Sequence, residues 1–364
     1  MSNLRTVKWV MLLLSSLWFS TFSKAQDLQV VCAIPGAITE CSGMYPAGTS
    51  TYWMLNDGGN PAELYLVDTL GNMLRTLTIA NLPNVDWEAL AGDDSGNIYI
   101  GDFGNNENSR QNLRIGKIET THLQGDTAQA VILDLVYEDQ YAFPPARSNF
   151  RFDCEAMFLK GDSIYLITKN WTNPFTGMAY LYSMPKDMTD RVARLKDSVY
   201  LGDNSFLSQV TDCVLLEDKL LMLGYGGVWV CERSNENIFF SEPKYHSFGG
   251  VRQFEAIAPE DSDQFLIAEE ATSRNANLYR FRLDRSAAAI EDEAPELDLR
   301  YIKDGLLFDG SHMNILTVTL MDIEGRLIYE SVNERSFVPM NKSGIYTLTV
   351  FTDRGLIRRK IVWH

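Results

Sequence analysis

Residues 85–106 read VDWEALAGDDSGNIYIGDFGNN: two short apolar runs joined by the polar turn GDDSGN, with carboxylates near each outer end. Apolar runs separated by a Gly- and Asp-containing turn are the signature of a β-hairpin. The same arrangement recurs along the chain. ECSGMYPAGTSTYWMLNDGGN starts at Glu40, DWEALAGDDSGNIYIGDFGNN at Asp86, DCEAMFLKGDSIYLITKNW at Asp153, TDCVLLEDKLLMLGYGG at Thr211 and QFEAIAPEDSDQFLIAEEA at Gln253. A third strand-like run follows each copy (AELYLVD, NLRIGKI, MAYLYSM, GVWVCER, NLYRFRL), and usually a fourth, such as LRTLTIA or AVILDLVYE.

Four-stranded antiparallel units repeated along one chain predict a β-propeller, because each sheet buries both faces only against neighbours in a ring. The third positions of the copies are Ser42, Glu88, Glu155, Cys213 and Glu255, so four steps cover 213 residues. That is about 53 per repeat, above the ~40–50 of common propeller repeats, and leaves room for long loops. The fifth copy ends after three strands, while QVVCAI at residues 29–34 is a spare strand ahead of the first copy. If it completes the last blade, the ring has five blades. The alternative is six, with one blade too degenerate to recognise.

The ends of the chain read differently. Arg5 and Lys8 precede the uncharged run WVMLLLSSLWFSTF, followed by Ser23-Lys24-Ala25. Basic, apolar and small residues in that order predict a secretory signal peptide over residues 1–25. The run of 14 residues is short of the roughly 20 that span a bilayer as a helix. The expected mature chain begins at Gln26 and contains no transmembrane segment. The leader holds three basic and no acidic residues, so the formal charge of −16 on the whole chain becomes −19 without it. Nucleic acid and anionic membrane surfaces, which require clustered Lys and Arg, are therefore not expected partners. Five cysteines without a CxxC pair exclude a zinc ribbon or a thioredoxin-type site, and most are expected as small buried residues.

Residues 26–284 are thus expected to form the propeller. RSAAAIEDEAPELDLR, at 285–300, reads as a linker, and alternating strands over 301–364 read as a small β-sandwich. In this tail DIEGRLIYE, SGIYTLTV and RRKIVWH resemble, in order, the Asp-x-x-Gly-Arg strand pair, the Gly-[Val/Ile]-Tyr strand and the basic-apolar last strand of the type A C-terminal sorting domain of the type IX secretion system. The resemblance implies recognition by the type IX machinery, removal of the tail, and delivery to the medium or outer surface of a Gram-negative cell. The Tyr-Pro-Asn-Pro-like start common in that family is replaced by RYIKDGLLFDG. Within the repeats, GNIYIGDFGNN is similar to the NHL repeat, and the x-x-Glu-Ala-[Leu/Met/Ile] starts resemble blade starts of secreted phytase-like esterase and lactonase propellers.

Standard catalytic motifs are missing: the sequence has no Gly-x-Ser-x-Gly, His-Glu-x-x-His, phosphate loop or dinucleotide Gly-x-Gly-x-x-Gly, and only four histidines. GDDSGN lacks the spacing and closing Glu of a calcium loop and reads as a hairpin turn. The carboxylates remain. Antiparallel pairing about each turn puts Glu88 opposite Gly101 beside Asp102, Glu155 near Lys169, Glu255 near Glu269, and Ser42 near Asn56 and Asp57. Starts of inner strands line the mouth of a propeller channel. Glu88, Glu155 and Glu255 are therefore expected to converge there and hold a divalent cation, Ca²⁺ by its oxygen ligands. Around them Asp57, Asp102, Asn105, Lys169, Trp171, Tyr225, Glu269 and Glu270 form a polar cup. Two functions fit: a surface or secreted binding module for a glycan, peptide or small molecule, and a metal-dependent hydrolase of the phytase-like esterase, phosphoesterase or lactonase kind.

Overall fold

The computed structural model describes residues 28–283, apart from 188, 234, 236, 237, 249 and 272–275, and most of residues 298–363. The expected signal peptide lies outside the described residues, and so does the expected linker as far as 297. Residues 298–300 belong to the strand Asp298–Ile302, so the C-terminal sheet begins inside the span expected as linker.

The described chain is all-β, with Thr120–Gln124 and Arg147–Asn149 as short 3-10 turns. Among the described residues no helix is long and apolar enough to cross a membrane. Up to residue 283 the strands form five antiparallel units, the second and third joined edge to edge into one eight-stranded sheet. The first contains Cys41–Gly48, Thr51–Asn56, Glu63–Asp68 and Met73–Ile79; the second Trp87–Gly92, Ile98–Asp102, Leu113–Ile118 and Val131–Tyr137. The third contains Asp153–Lys160, Ser163–Lys169, Met178–Pro185 and Val192–Tyr200; the fourth Asp212–Leu215, Lys219–Gly224, Gly227–Glu232 and Lys244–Ser247. The fifth has Phe254–Pro259, Gln264–Glu269 and Asn277–Arg282, and its outer strand is the N-terminal Gln29–Ala33, antiparallel to Asn277–Arg282 with Gln29 opposite Arg280. The spare strand and the missing strand find each other.

Period-2 alternation explains the packing. In the second unit Ala89 and Ala91 join a buried cluster with Cys154 and Met157 of the third, whereas Trp87 and Leu90 join one with Trp53 and Leu55 of the first. Similar clusters join the third unit to the fourth, the fourth to the fifth, and the fifth to the first. First strands touch in the same cyclic order. Outer edges are covered as well: Thr127–Ala128 pairs in parallel with Met73–Ile79, and Val131–Tyr137 with Val192–Tyr200. Such pairing removes open strand edges. The GDDSGN segment is a hairpin turn: Asp93 Oδ1 accepts the N–H groups of Ser95 and Asn97 at 3.0 and 3.1 Å, and Gly96 supplies φ +78°.

In the C-terminal part, a three-stranded sheet (Asp298–Ile302, Gly305–Asp309, Phe337–Pro339) and a four-stranded sheet (Ile315–Asp322, Leu327–Val332, Gly344–Thr352, Gly355–Trp363) share one core. Leu306 and Val338 of the first pack with Val318, Leu320, Leu348, Val350 and Ile361 of the second. This is the arrangement of a small sandwich.

Candidate functional site

One local irregularity builds the site. In the first strand of the second unit Trp87 pairs with Asp102 and Ala89 with Gly101, so Glu88 is the extra residue of a β-bulge. The same slip falls between Cys41 and Gly43, between Cys154 and Ala156, and between Phe254 and Ala256. Ser42, Glu155 and Glu255 are therefore bulged too. A bulged residue leaves the ladder and its side chain is re-aimed. Trp87 and Ala89 face the two neighbouring cores, and Glu88 between them faces neither. The fourth unit has no bulge: Asp212 pairs with Leu223 and Cys213 with Met222. Cys213, expected at the equivalent of the glutamates, packs in the core beside Met222 and Trp229. Thr211 instead makes the bond that Ser42 makes. Each donates its hydroxyl, at 2.7 Å, to the carbonyl before the next unit's bulged glutamate, Ser42 to Trp87 and Thr211 to Phe254.

The bulged side chains open into one small cavity lined by Glu40, Asp57, Glu88, Glu155, Glu255 and Glu270, with Lys169 as the only basic side chain among the described residues that line it. Its volume is about 60 Å³, room for an ion with a few waters rather than a sugar ring. The cavity has two unlike halves.

In one half, Asp57, Asp86 and Glu88 each place a carboxylate oxygen so that all three lie within 4.8 Å of one another. Glu88 is 5% exposed and makes no hydrogen bond or ion pair with any described residue. Burial, then the charges of Glu155, Asp57, Asp153 and Asp86, push its carboxyl well above the usual range. Burial and Asp57 likewise raise Asp86 to about 6, against a pull from Arg110. Arg110 lies 3.7 Å from Asp86 Oδ2 and is bound more closely, at 3.1 Å, by Asp102 Oδ1. Two glycines fix this half. A Cβ on Gly104 would come within 2.5 Å of both Asp86 Oδ2 and Glu88 Oε1, and one on Gly58 within 2.5 Å of Asp86 Oδ1.

In the other half Lys169 Nζ donates to Glu155 Oε1 at 3.1 Å, both groups being buried. Burial pulls the ammonium down, but Glu155 and Glu255 more than offset this and hold it well above its ordinary value, so it stays charged. Its nitrogen sits 5.4 Å from the ring centres of both Trp171 and Tyr225, within cation–π range. Tyr225 stacks on Phe206 at 4.6 Å, and Trp171 and Phe206 are exposed by 37% and 45%. The Trp171 ring is fixed by its N–H, which donates to Asp153 Oδ2 at 2.6 Å. Glu255 is half-buried, and burial raises its carboxyl to about 7 although Lys169 pulls it down.

Of the expected cup, Asp57, Lys169 and Glu270 line the cavity with the three glutamates, and Trp171 and Tyr225 flank it through Lys169. Three others hold the frame. Asp102 is buried, accepting the Asp86 N–H at 2.9 Å and binding Arg110. Asn105 ties two units together, its N–H donating to Asp153 Oδ1 at 2.5 Å and its side-chain amide to the Phe152 carbonyl at 3.2 Å. Glu269 accepts from the Asn277 backbone and side chain at 3.1 and 2.8 Å and lies 3.4 Å from Arg252. Asp86, Asp153 and Glu40 were not expected as site residues. The signal for the first two was in the repeat, where Asp-x-Glu opens both the second and third copies.

No protein-family profile matches the chain. No curated protein matches it either. Solved structures of β-propeller-like proteins do resemble it distantly. The aldose sugar dehydrogenase of Streptomyces coelicolor, determined with bound PQQ, matches with TM-score 0.43 and 9% identity over 70% of this chain and 98% of its own. PorZ, a surface component of the type IX secretion system of Porphyromonas gingivalis, matches at 0.35 and 11% over 89% of this chain and 44% of its own. A gluconolactonase of Xanthomonas campestris matches at 0.36 and 11% over 64% and 69%. At these values the likeness concerns the fold alone.

Proposed function

We propose that the chain is an exported, five-bladed β-propeller binding protein that engages its ligand at the acidic channel mouth, with the C-terminal sandwich as a type IX sorting domain. One observation carries the binding reading: among the described residues, six carboxylates and a single ammonium converge on one cavity, beside the exposed aromatic faces of Trp171 and Phe206. Carboxylates and aromatic faces are the groups that recognise polar and cationic ligands. The buried thiols next to it do not offer a nucleophile. Burial drives Cys41 up to about 12 and Cys154 and Cys213 well above their ordinary value, whereas an attacking cysteine must be a thiolate. The metal-dependent hydrolase reading uses the same cavity and is the competitor.

The purified mature chain should be screened on glycan and peptide arrays. In parallel, phosphomonoester, ester and lactone substrates should be offered with added calcium. Saturable binding without turnover supports the binding role; calcium-dependent turnover lost in Glu88→Gln replaces it with the hydrolase. For the route of export, deleting the residues after Asp304 is expected to leave the protein in the periplasm. Unchanged delivery to the surface or medium refutes the sorting role.

A further inference from the structure

We infer that the loop after Thr51–Asn56 and the start of Trp87–Gly92 form a calcium site, with Asp57, Asp86 and Glu88 as its protein ligands. The inference rests on the reading of this mouth as the binding site and names an ion within it. Three carboxylate oxygens within 4.8 Å of one another are spaced as the ligands of one ion are, about 2.3–2.6 Å from a common centre. A cluster of acids alone would not be enough. Glu88 adds a second, independent observation: it is 5% exposed, it has no hydrogen bond or ion pair among the described residues, and it lines the cavity. A buried carboxyl without a partner must either hold a proton or take up a cation, and a cation fits the remaining space.

Among the described residues no cation supplies that partner. Lys169 is taken up by Glu155 in the opposite half, and Arg110 binds Asp102 at 3.1 Å and reaches only Asp86, at 3.7 Å. The other charged groups facing this half, Glu40, Glu155, Glu255, Glu270 and Asp153, are all acidic. Oxygen ligands select a hard cation. A set drawn from two separate segments, completed by waters in an open cavity, suits calcium's irregular coordination better than the octahedron magnesium requires. The close approach of Gly58 and Gly104 to the carboxylates holds the ligands in place before the ion arrives, which lowers the ordering cost of binding.

The test uses the full mature chain, stripped with EDTA and titrated with calcium while metal content and the thermal midpoint are followed. One calcium per chain and a midpoint that rises with calcium are expected. Asp57→Asn and Glu88→Gln should each raise the calcium needed for half the shift by about tenfold or more, since affinity follows the number of charged ligands. Glu119→Gln, an exposed acid just before the turn Thr120–Gln124 and away from the cavity, should leave it within about threefold. In EDTA, Glu88→Gln should melt at or above the parent, because it removes a repelling charge, so a lost response is not a lost fold. No bound calcium, a larger response to magnesium, or a response lost in Glu119→Gln and kept in Asp57→Asn each overturns the assignment. Calcium uptake with no ligand found on the arrays leaves the ion site standing and the binding role unsupported; ligand binding indifferent to EDTA does the reverse.

Discussion

Asp86-Trp87-Glu88 and Asp153-Cys154-Glu155 open consecutive repeats with the same pattern and the same bulge, yet their carboxylates have different environments. In the third repeat the residue fourteen places after the glutamate is Lys169, and the pair closes at 3.1 Å. In the second it is Asp102, which turns to Arg110 and the Asp86 backbone and leaves Glu88 unpartnered. The first aspartates diverge as well. Asp153 is fully buried and accepts from the Asn105 N–H and the Trp171 indole, whereas Asp86 sets a carboxylate oxygen within 4.8 Å of those of Asp57 and Glu88. One repeat therefore finds partners for its acids, one of them the Asn105 N–H of the preceding repeat, and its neighbour presents its own. A repeat can keep its backbone and change its chemistry through a single opposing residue.

The harshest way to break this contrast is Lys169→Met. Removing one member of a buried pair strands the other, so a loss of about 3–5 kcal/mol in urea unfolding is expected. Adding Glu155→Gln should restore most of it. A single variant within about 0.5 kcal/mol of the parent would show that the two halves do not differ as described.

Gly104→Ala acts on the other half. Its methyl would need space held by the Asp86 and Glu88 carboxylates at 2.5 Å, and crowding of that kind costs about 1–3 kcal/mol. The calcium-dependent rise of the thermal midpoint should also disappear. If that rise survives at the parental calcium concentration, the carboxylates are not held by the Gly104 backbone.

The smallest effect expected is that of pH in EDTA. Burial raises Glu255 to about 7 and Asp86 to about 6, above the ordinary carboxyl values of about 4. The folded state then binds protons more tightly than the unfolded chain, so stability falls as pH rises through the folded values. The midpoint should be a few degrees higher at pH 5 than at pH 8, and calcium should narrow the difference because it replaces the protons. A midpoint that climbs from pH 5 to 8 in EDTA would contradict both shifts.

Much of this was legible in the residues. Alternation within QFEAIAPEDSDQFLIAEEA and its relatives specifies hairpins whatever surrounds them, because side-chain direction along a strand is local. The count of strands, three at the end and one to spare at the start, identified Gln29–Ala33 as the partner of Asn277–Arg282. The position of Glu88, Glu155 and Glu255 at the cavity also followed from the repeat. Which glutamate meets a cation did not. Hairpin counting places Glu88 beside Asp102, Glu155 beside Lys169 and Glu255 beside Glu269 with equal force, but only the Glu155–Lys169 pair closes. Asp102 and Glu269 are drawn into frame contacts with Arg110 and Asn277. The meeting of Asp57 with Asp86 and Glu88 crosses from one unit to the next, 29 and 31 residues along the chain. It depends on the angle between neighbouring sheets and on how closely the Gly58 and Gly104 backbones approach. A periodic sequence fixes what repeats within a blade. Contacts between blades are set by packing, and there the tertiary structure alone divided one ring of acids into a neutralised half and an open one.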